Sequence, residues 1–209
     1  MAGSGVLTRA LPRGDRGALA MDIWYPSSSA GSTPQRDAPV ASGSWPMVIF
    51  SHGLRGLPED YEALVTRWAA NGFVVVAPRY PMSNREAENI DATDVKNQPG
   101  DASAALDAVL NDAAKAGDPF NGRLDDRRIF AAGHSEGGVT TVGLLDECCR
   151  DARLKGALVL AGNSLGFPGS PAGNAIPVLF IHGDKDRLAP LRATLQQDGV
   201  NLDDQLGTA

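Results

Sequence analysis

A chain of 209 residues with 43% hydrophobic residues has the size and apolar content of one globular domain, 1–209, able to bury about 70% of its unfolded surface. The net charge of −6, with no cluster of lysine and arginine, argues against a nucleic-acid partner. No run approaches the roughly 18 apolar residues of a membrane span, and MAGSGVLTRALPRGDRG at the N-terminus has no leader-like apolar run. The expectation is a cytoplasmic protein, or a secreted one whose leader has been removed.

Residues 1–17, punctuated by glycine, arginine and proline, read as an irregular N-terminal arm. ALAMDIWYP (18–26) alternates and is rich in strand formers, which predicts an edge strand stopped by Pro26. Residues 27–45 hold mostly serine, glycine, proline and alanine and read as a long exposed connection. PMVIFSHG (46–53) is a continuous apolar run ending in glycine, the mark of a buried parallel strand. A helix is predicted over 58–71, with Tyr61, Leu64, Val65 and Trp68 on one face, Pro58 in its first turn and Asn71-Gly72 as its stop.

FVVVAPRYP (73–81) is the next buried strand, and the polar residues 82–98 read as a loop over a site. A second helix is expected to start at Asp101 as N-cap, with Ala102, Leu106, Val109, Leu110 and Ala113 as its apolar stripe. RRIFAAGHS (127–135) reads as strand and 136–149 as helix. Its last residues, Cys148 and Cys149, are expected to be free thiols, because adjacent cysteines bridge only through a strained ring. KGALVLAGN (155–163) and IPVLFIHGD (176–184) are two more buried strands, and 190–198 reads as a last helix. Repeated alternation of strand and helix predicts an α/β fold, a mostly parallel central sheet with helices on both faces.

The chemistry concentrates in AAGHSEGG (131–138). Gly-x-Ser-x-Gly is a weak pattern alone and a strong one between a buried strand and a helix, where the turn exposes the serine hydroxyl as a nucleophile. Gly133 and Gly137 are needed because a Cβ at either would strike a neighbouring backbone. A serine nucleophile also needs donors for the oxyanion. The N–H of Glu136 opens the following helix and is one; FSHGLRG (50–56) offers that of Leu54 as the second. The acid partner belongs on a later strand end. LAGNSLG places the uncharged Asn163 at one such end. HGDKDRLAP (182–190) offers Asp184 and Asp186, of which Asp186, further into the loop, is favoured and Asp184 is left to bond its own turn.

Together DIWYP, FSHGL, NQPGDASAALD, GHSEGG and IHGDKDRLAP, spread over about residues 20–190, resemble the α/β-hydrolase superfamily. Within it they are similar to the branch of dienelactone hydrolases, cutinase-like polyesterases and platelet-activating-factor acetylhydrolase-like lipases. The acetylhydrolase group usually carries its acid where this chain has Asn163, which leans the resemblance to the dienelactone and polyesterase side. The resemblance implies an eight-stranded sheet and hydrolysis of carboxylic esters (small acyl esters, lactones or polyesters) through an acyl-serine. It assigns Ser135 as nucleophile, Asp186 as acid, and Leu54 and Glu136 as oxyanion donors. No cofactor or metal is expected; the expected partner is a small-molecule or polymer ester.

The superfamily's order of Ser, Asp and then His is not met. The three histidines, His52, His134 and His182, all precede Asp186, and each has a structural explanation, so no catalytic histidine is assigned. His52 is the nearest to a substitute, since its loop borders the site. The expectation is an incomplete C-terminal end at 191–209, lacking a last strand, a histidine-bearing loop and a closing helix, roughly 40–60 residues. The alternative to an ester hydrolase is then a non-catalytic α/β-hydrolase-like binding module or an inactive fragment.

Overall fold

The computed structural model describes residues 3–13, 17–164, 167 and 176–187. Gly3–Pro12 (β1) and Ala18–Ser27 (β2) form an antiparallel pair in continuous register. The two-residue strand Gln35–Arg36 (β3) lies beside β1. The remaining strands are Trp45–Ser51 (β4), Val74–Pro78 (β5), Leu124–His134 (β6), Leu154–Leu160 (β7) and Val178–Ile181 (β8). All eight join one sheet in the order β3-β1-β2-β5-β4-β6-β7-β8. From β5 to β8 every neighbouring pair is parallel, and β2 runs antiparallel to β5.

The central strands are apolar on both faces because both faces are covered. On one, Val48, Phe50, Val75 and Ala77 pack with Val65 and Ala69 of the helix Glu62–Ala70 (α1). On the other, Ile49, Val76 and Ile129 pack with Ala102, Leu106 and Val109 of the helix Gln98–Ala113 (α2). The helix Glu136–Gly143 (α3) is tied to α2 through Gln98, which bonds Thr140 and Ser83. Successive residues of β4 thus feed opposite cores, the period-2 signature of a strand.

Several sequence expectations are corrected. The arm 1–17 contains the ten-residue strand β1; its alternation of Val6, Thr8 and Ala10 with Leu7, Arg9 and Leu11 is stabilised by a partner that local reading does not see. β2 is an interior strand, not an edge, and runs one residue past Pro26. The connection 27–45 is pinned rather than wholly exposed, since Ala38 and Val40 are buried and Tyr25 Oη donates to Ala38 O at 2.8 Å. The residues of 58–71 divide into a 3₁₀ turn, Pro58–Tyr61, and α1. α2 starts earlier, with Asn97 as N-cap and Pro99 in its first turn. Asp101 is not a cap: it is buried there and paired with Arg13.

α3 ends at Gly143, six residues before the expected 149. Residues 144–149 are turns, and Cys148 and Cys149 form a disulfide instead of two free thiols. Neighbouring side chains on a helix diverge, so the early end of α3 is what lets them meet. Asp146 holds the turn, accepting from Cys148 N through its side chain and from Cys149 N through its carbonyl. Among the described residues β8 is the sheet edge, with Leu179 58% and Ile181 52% exposed. The expected helix 190–198 and C-terminal end 191–209 lie outside the described residues.

Candidate active site

Register builds the site. Ser51 of β4 pairs with Gly133 of β6, so two residues further on Gly53 and Ser135 face each other past the strand ends. The approach is close: a Cβ on Gly53 would lie 3.2 Å from Ser135 Cβ. Such ends of parallel strands are where α/β sheets collect their chemistry.

Ser135 joins β6 to α3 in a single residue, with φ 55° and ψ −120°. A non-glycine residue in this region costs about 1–3 kcal/mol and persists only where its surroundings hold it. Here Ser135 N donates to Leu160 O at 2.9 Å, and Ser135 O accepts from Gly138 N at 2.9 Å and Val139 N at 3.2 Å. The steric claims for the glycines hold: a Cβ on Gly133 would sit 2.0 Å from Gly137 O, and one on Gly137 2.0 Å from Ser51 O. Gly138 and Gly162, which sequence reading passed over, make a similar close approach, with a Cβ on Gly138 2.8 Å from Gly162 Cα. Ser135 itself remains exposed.

The turn after β4 has one spare donor. Gly53 N donates to Tyr61 Oη at 3.1 Å, Arg55 N to Ser83 O at 2.6 Å and Gly56 N to Gly53 O at 2.8 Å. The N–H of Leu54 has no acceptor among the described residues. The N–H of Glu136, first in α3, has none available within its helix, as for every helix start. Two spare N–H groups therefore lie in the segments next to Ser135, one on Glu136 with the favourable end of a helix dipole behind it and one on Leu54, the residue after Gly53.

Tyr61 appears in the sequence only as a core-facing member of an amphipathic stripe. Besides accepting from Gly53, its hydroxyl is 2.9 Å from His134 Nδ1, and its ring packs on Phe50 with centroids 4.8 Å apart. It braces the turn after β4 against the β6–α3 junction. His134 is turned into this contact, and burial holds its pKa below the usual histidine value, with Asp186 pulling the other way. His52 is fully buried: its Nδ1–H donates to Gly53 O at 2.9 Å and its Nε2 accepts from Tyr80 N at 3.1 Å. With both ring nitrogens committed, His52 is not the substitute base that its loop position suggested.

Asp186 lies in the turn after β8, its N–H donating to Gly183 O at 3.2 Å and its Oδ2 3.7 Å from His182 Nε2. Its field raises the pKa of His134, the residue before Ser135, whereas Asp184 is exposed at the turn's tip.

Glu136 carries a feature that sequence reading missed, having used only its N–H. Both carboxylate oxygens are shut away from solvent with no hydrogen-bond partner. Burial, then the fields of Asp94 and Asp91, push its pKa from 4.5 up to about 7. Those aspartates belong to the polar loop, Asp94 on the 3₁₀ turn Ala92–Lys96 and Asp91 as its N-cap. No group of three or more His, Cys, Asp and Glu side chains gathers to hold a metal among the described residues. No helix among them is long and apolar enough to cross a membrane.

The chlorophyllase family profile matches residues 21–160. Cutinase 2 of Thermobifida cellulosilytica is 30% identical over 157 residues, covering 73% of this chain and 52% of that protein. Cutinase cut1 of Thermobifida fusca is likewise 30% identical over 157 residues, covering 73% of this chain and 43% of its own length. The chain therefore spans about half the length of the cutinases it matches. Among solved structures, a ferulic acid esterase from Streptomyces cinnamoneus superposes with a TM-score of 0.73 at 23% identity, covering 95% of this chain and 70% of that one. That likeness shows the fold to be an α/β-hydrolase fold.

Proposed function

This chain belongs to the chlorophyllase family, and from that premise we propose that it hydrolyses carboxylic esters, whether small acyl esters, lactones or polyesters, through an acyl-serine on Ser135. The cutinases it resembles and the esterase whose fold it shares support the ester class. The observation that carries the reading is the elbow itself: an exposed serine in a strained conformation, flanked by the uncommitted N–H groups of Leu54 and Glu136.

In this reading Ser135 Oγ attacks the ester carbonyl carbon while its proton passes to a general base, which hands it on to the departing alcohol, and the carbonyl oxygen becomes an oxyanion between those two N–H groups. The tetrahedral species collapses, the alcohol leaves, and the acyl group stays on Oγ until water releases the acid. The donors are fixed before the charge forms, so no reorganisation is needed as it develops; one such donor is worth about 10²–10³ in turnover. Asp186 is the acid that would stabilise that base once it is protonated. No organic cofactor enters this chemistry.

A second reading is favoured by the histidines. His52 has both ring nitrogens committed, and His134 is held by Tyr61. Losing the base of a serine triad costs about 10⁶ in turnover. The chain would then bind esters at the elbow without turning them over. The test is hydrolysis of p-nitrophenyl acetate and butyrate by the chain and by Ser135→Ala, together with labelling by a fluorophosphonate. Serine-dependent turnover and labelling of Ser135 support the hydrolase. Equal rates in both proteins and an unlabelled Ser135 leave the binding module.

A further inference from the structure

We propose that Glu136 is a positioning residue for acyl transfer, whose side chain, when ionised, weakens the oxyanion pocket made by its own N–H and that of Leu54. The proposal rests on the reading of Ser135 as the acyl carrier.

Glu136 occupies the first position of α3, where a carboxylate is ordinarily stabilised by the helix dipole and by water. Here its oxygens are shut away from the surface and receive no donor from the described residues. The groups around it do not neutralise it. The 3₁₀ turn Ala92–Lys96 and its cap present Asp94 and Asp91, both of which oppose its charge. Lys96 of the same turn lines a different cleft, with Cys148 and Glu147. The chain after β5 brings Tyr80, fully buried and held in its neutral form by burial, with Ser51 beside it. α2 brings Asp101, paired with Arg13. The ends of β4 and β6 bring His52 and His134, both biased by burial toward the neutral ring.

The oxyanion would form within one residue of this carboxyl group. Protonated, Glu136 adds no charge to the pocket. Ionised, it places a negative charge within its own residue's length of a developing negative charge. At the separations available within one residue, and an effective dielectric constant near 20, the penalty is on the order of ten-fold in rate or more. The direction opposes that of a histidine-type base, which works better as pH rises. Glu136 would therefore cap the alkaline side of the reaction near neutrality, where its own proton is lost.

The experiment is Ser135-dependent hydrolysis of p-nitrophenyl butyrate, with the Ser135→Ala rate subtracted, from pH 5.5 to 8.5. It uses the full chain, Glu136→Gln and Glu136→Ala, with kcat and KM separated and a thermal melt at each pH to verify folding. The ratio of kcat for Glu136→Gln to that of the unaltered chain is expected to rise on the order of ten-fold across this range, while the KM ratio stays flat. Glu136→Ala, which loses packing as well as charge, should show the same slope with pH. Parallel kcat profiles alongside clear serine-dependent turnover would overturn the proposal and leave the function standing. Absence of serine-dependent turnover in every protein would overturn the reading of Ser135, and this proposal with it.

Discussion

Replacing Glu136 by glutamine should stabilise the fold, and only on one side of neutral pH. The folded protein holds a proton on Glu136 up to about pH 7, whereas the ordinary carboxyl value is 4.5. Between these values the folded state binds more protons than the unfolded chain, so rising pH favours unfolding. The loss is absent below about pH 4.5, grows through the window and is complete above about pH 7. At 1.36 kcal/mol per pH unit the ceiling is about 3 kcal/mol. The side chain is only partly buried, and solvent screening reduces the figure to about 1–2 kcal/mol. For a chain of this size that is roughly 2–8 °C in Tm. Glutamine keeps the shape and does not titrate. Melting curves at pH 5.0 and 8.0 should therefore show the variant's advantage growing by that amount between the two. An advantage of equal size at both pH values would refute the assignment of an uncompensated carboxyl group to this position.

Gly137→Ala places a methyl 2.0 Å from Ser51 O; because backbone must yield, the loss should be about 2–4 kcal/mol, read as a lower urea midpoint with an unchanged m-value. Tyr61→Phe removes the hydroxyl that receives Gly53 N and contacts His134; it should cost about 1–3 kcal/mol, and a denaturation midpoint equal to that of the unaltered chain would contradict the bracing role. Native protein treated with an alkylating agent should show no reactive thiol until a reductant is added and two afterwards, because Cys148 and Cys149 are joined. Replacing both by serine should cost no more than about 1 kcal/mol, since the loop they close is minimal; a much larger drop in Tm would show that the pair does more than close that loop.

The sequence by itself determined the parallel core and the elbow. Val74 to Ala77 and Met47 to Phe50 are apolar without alternation, which only a strand covered on both faces accommodates. The spacing of Gly133, Ser135 and Gly137 is legible as a local motif, and the clash Gly133 avoids, with Gly137 O, lies within the same strand-turn-helix unit, whereas Gly137 makes room for Ser51 of the neighbouring strand. Ends of elements were less legible. α3 stops at Gly143, six residues before the expected end, and a Cβ at that glycine would meet Phe167 and Pro99 at 2.6 Å, residues remote in sequence.

Tertiary structure alone decided the rest. β1 is a strand because β2 lies beside it through ten paired residues, a partnership that composition rich in glycine, arginine and proline conceals. Tyr61 became a brace of the turn after β4, and both ring nitrogens of His52 proved committed, only when hydrogen-bond partners were known. Glu136 could be recognised in the sequence as the donor after the serine. Its unpartnered carboxylate depends on where Asp91 and Asp94 come to rest, more than 40 residues earlier in the chain. Backbone periodicity and turn sterics are properties of neighbouring residues. Burial, field and hydrogen-bond satisfaction belong to whatever the fold brings close, and no local pattern records them.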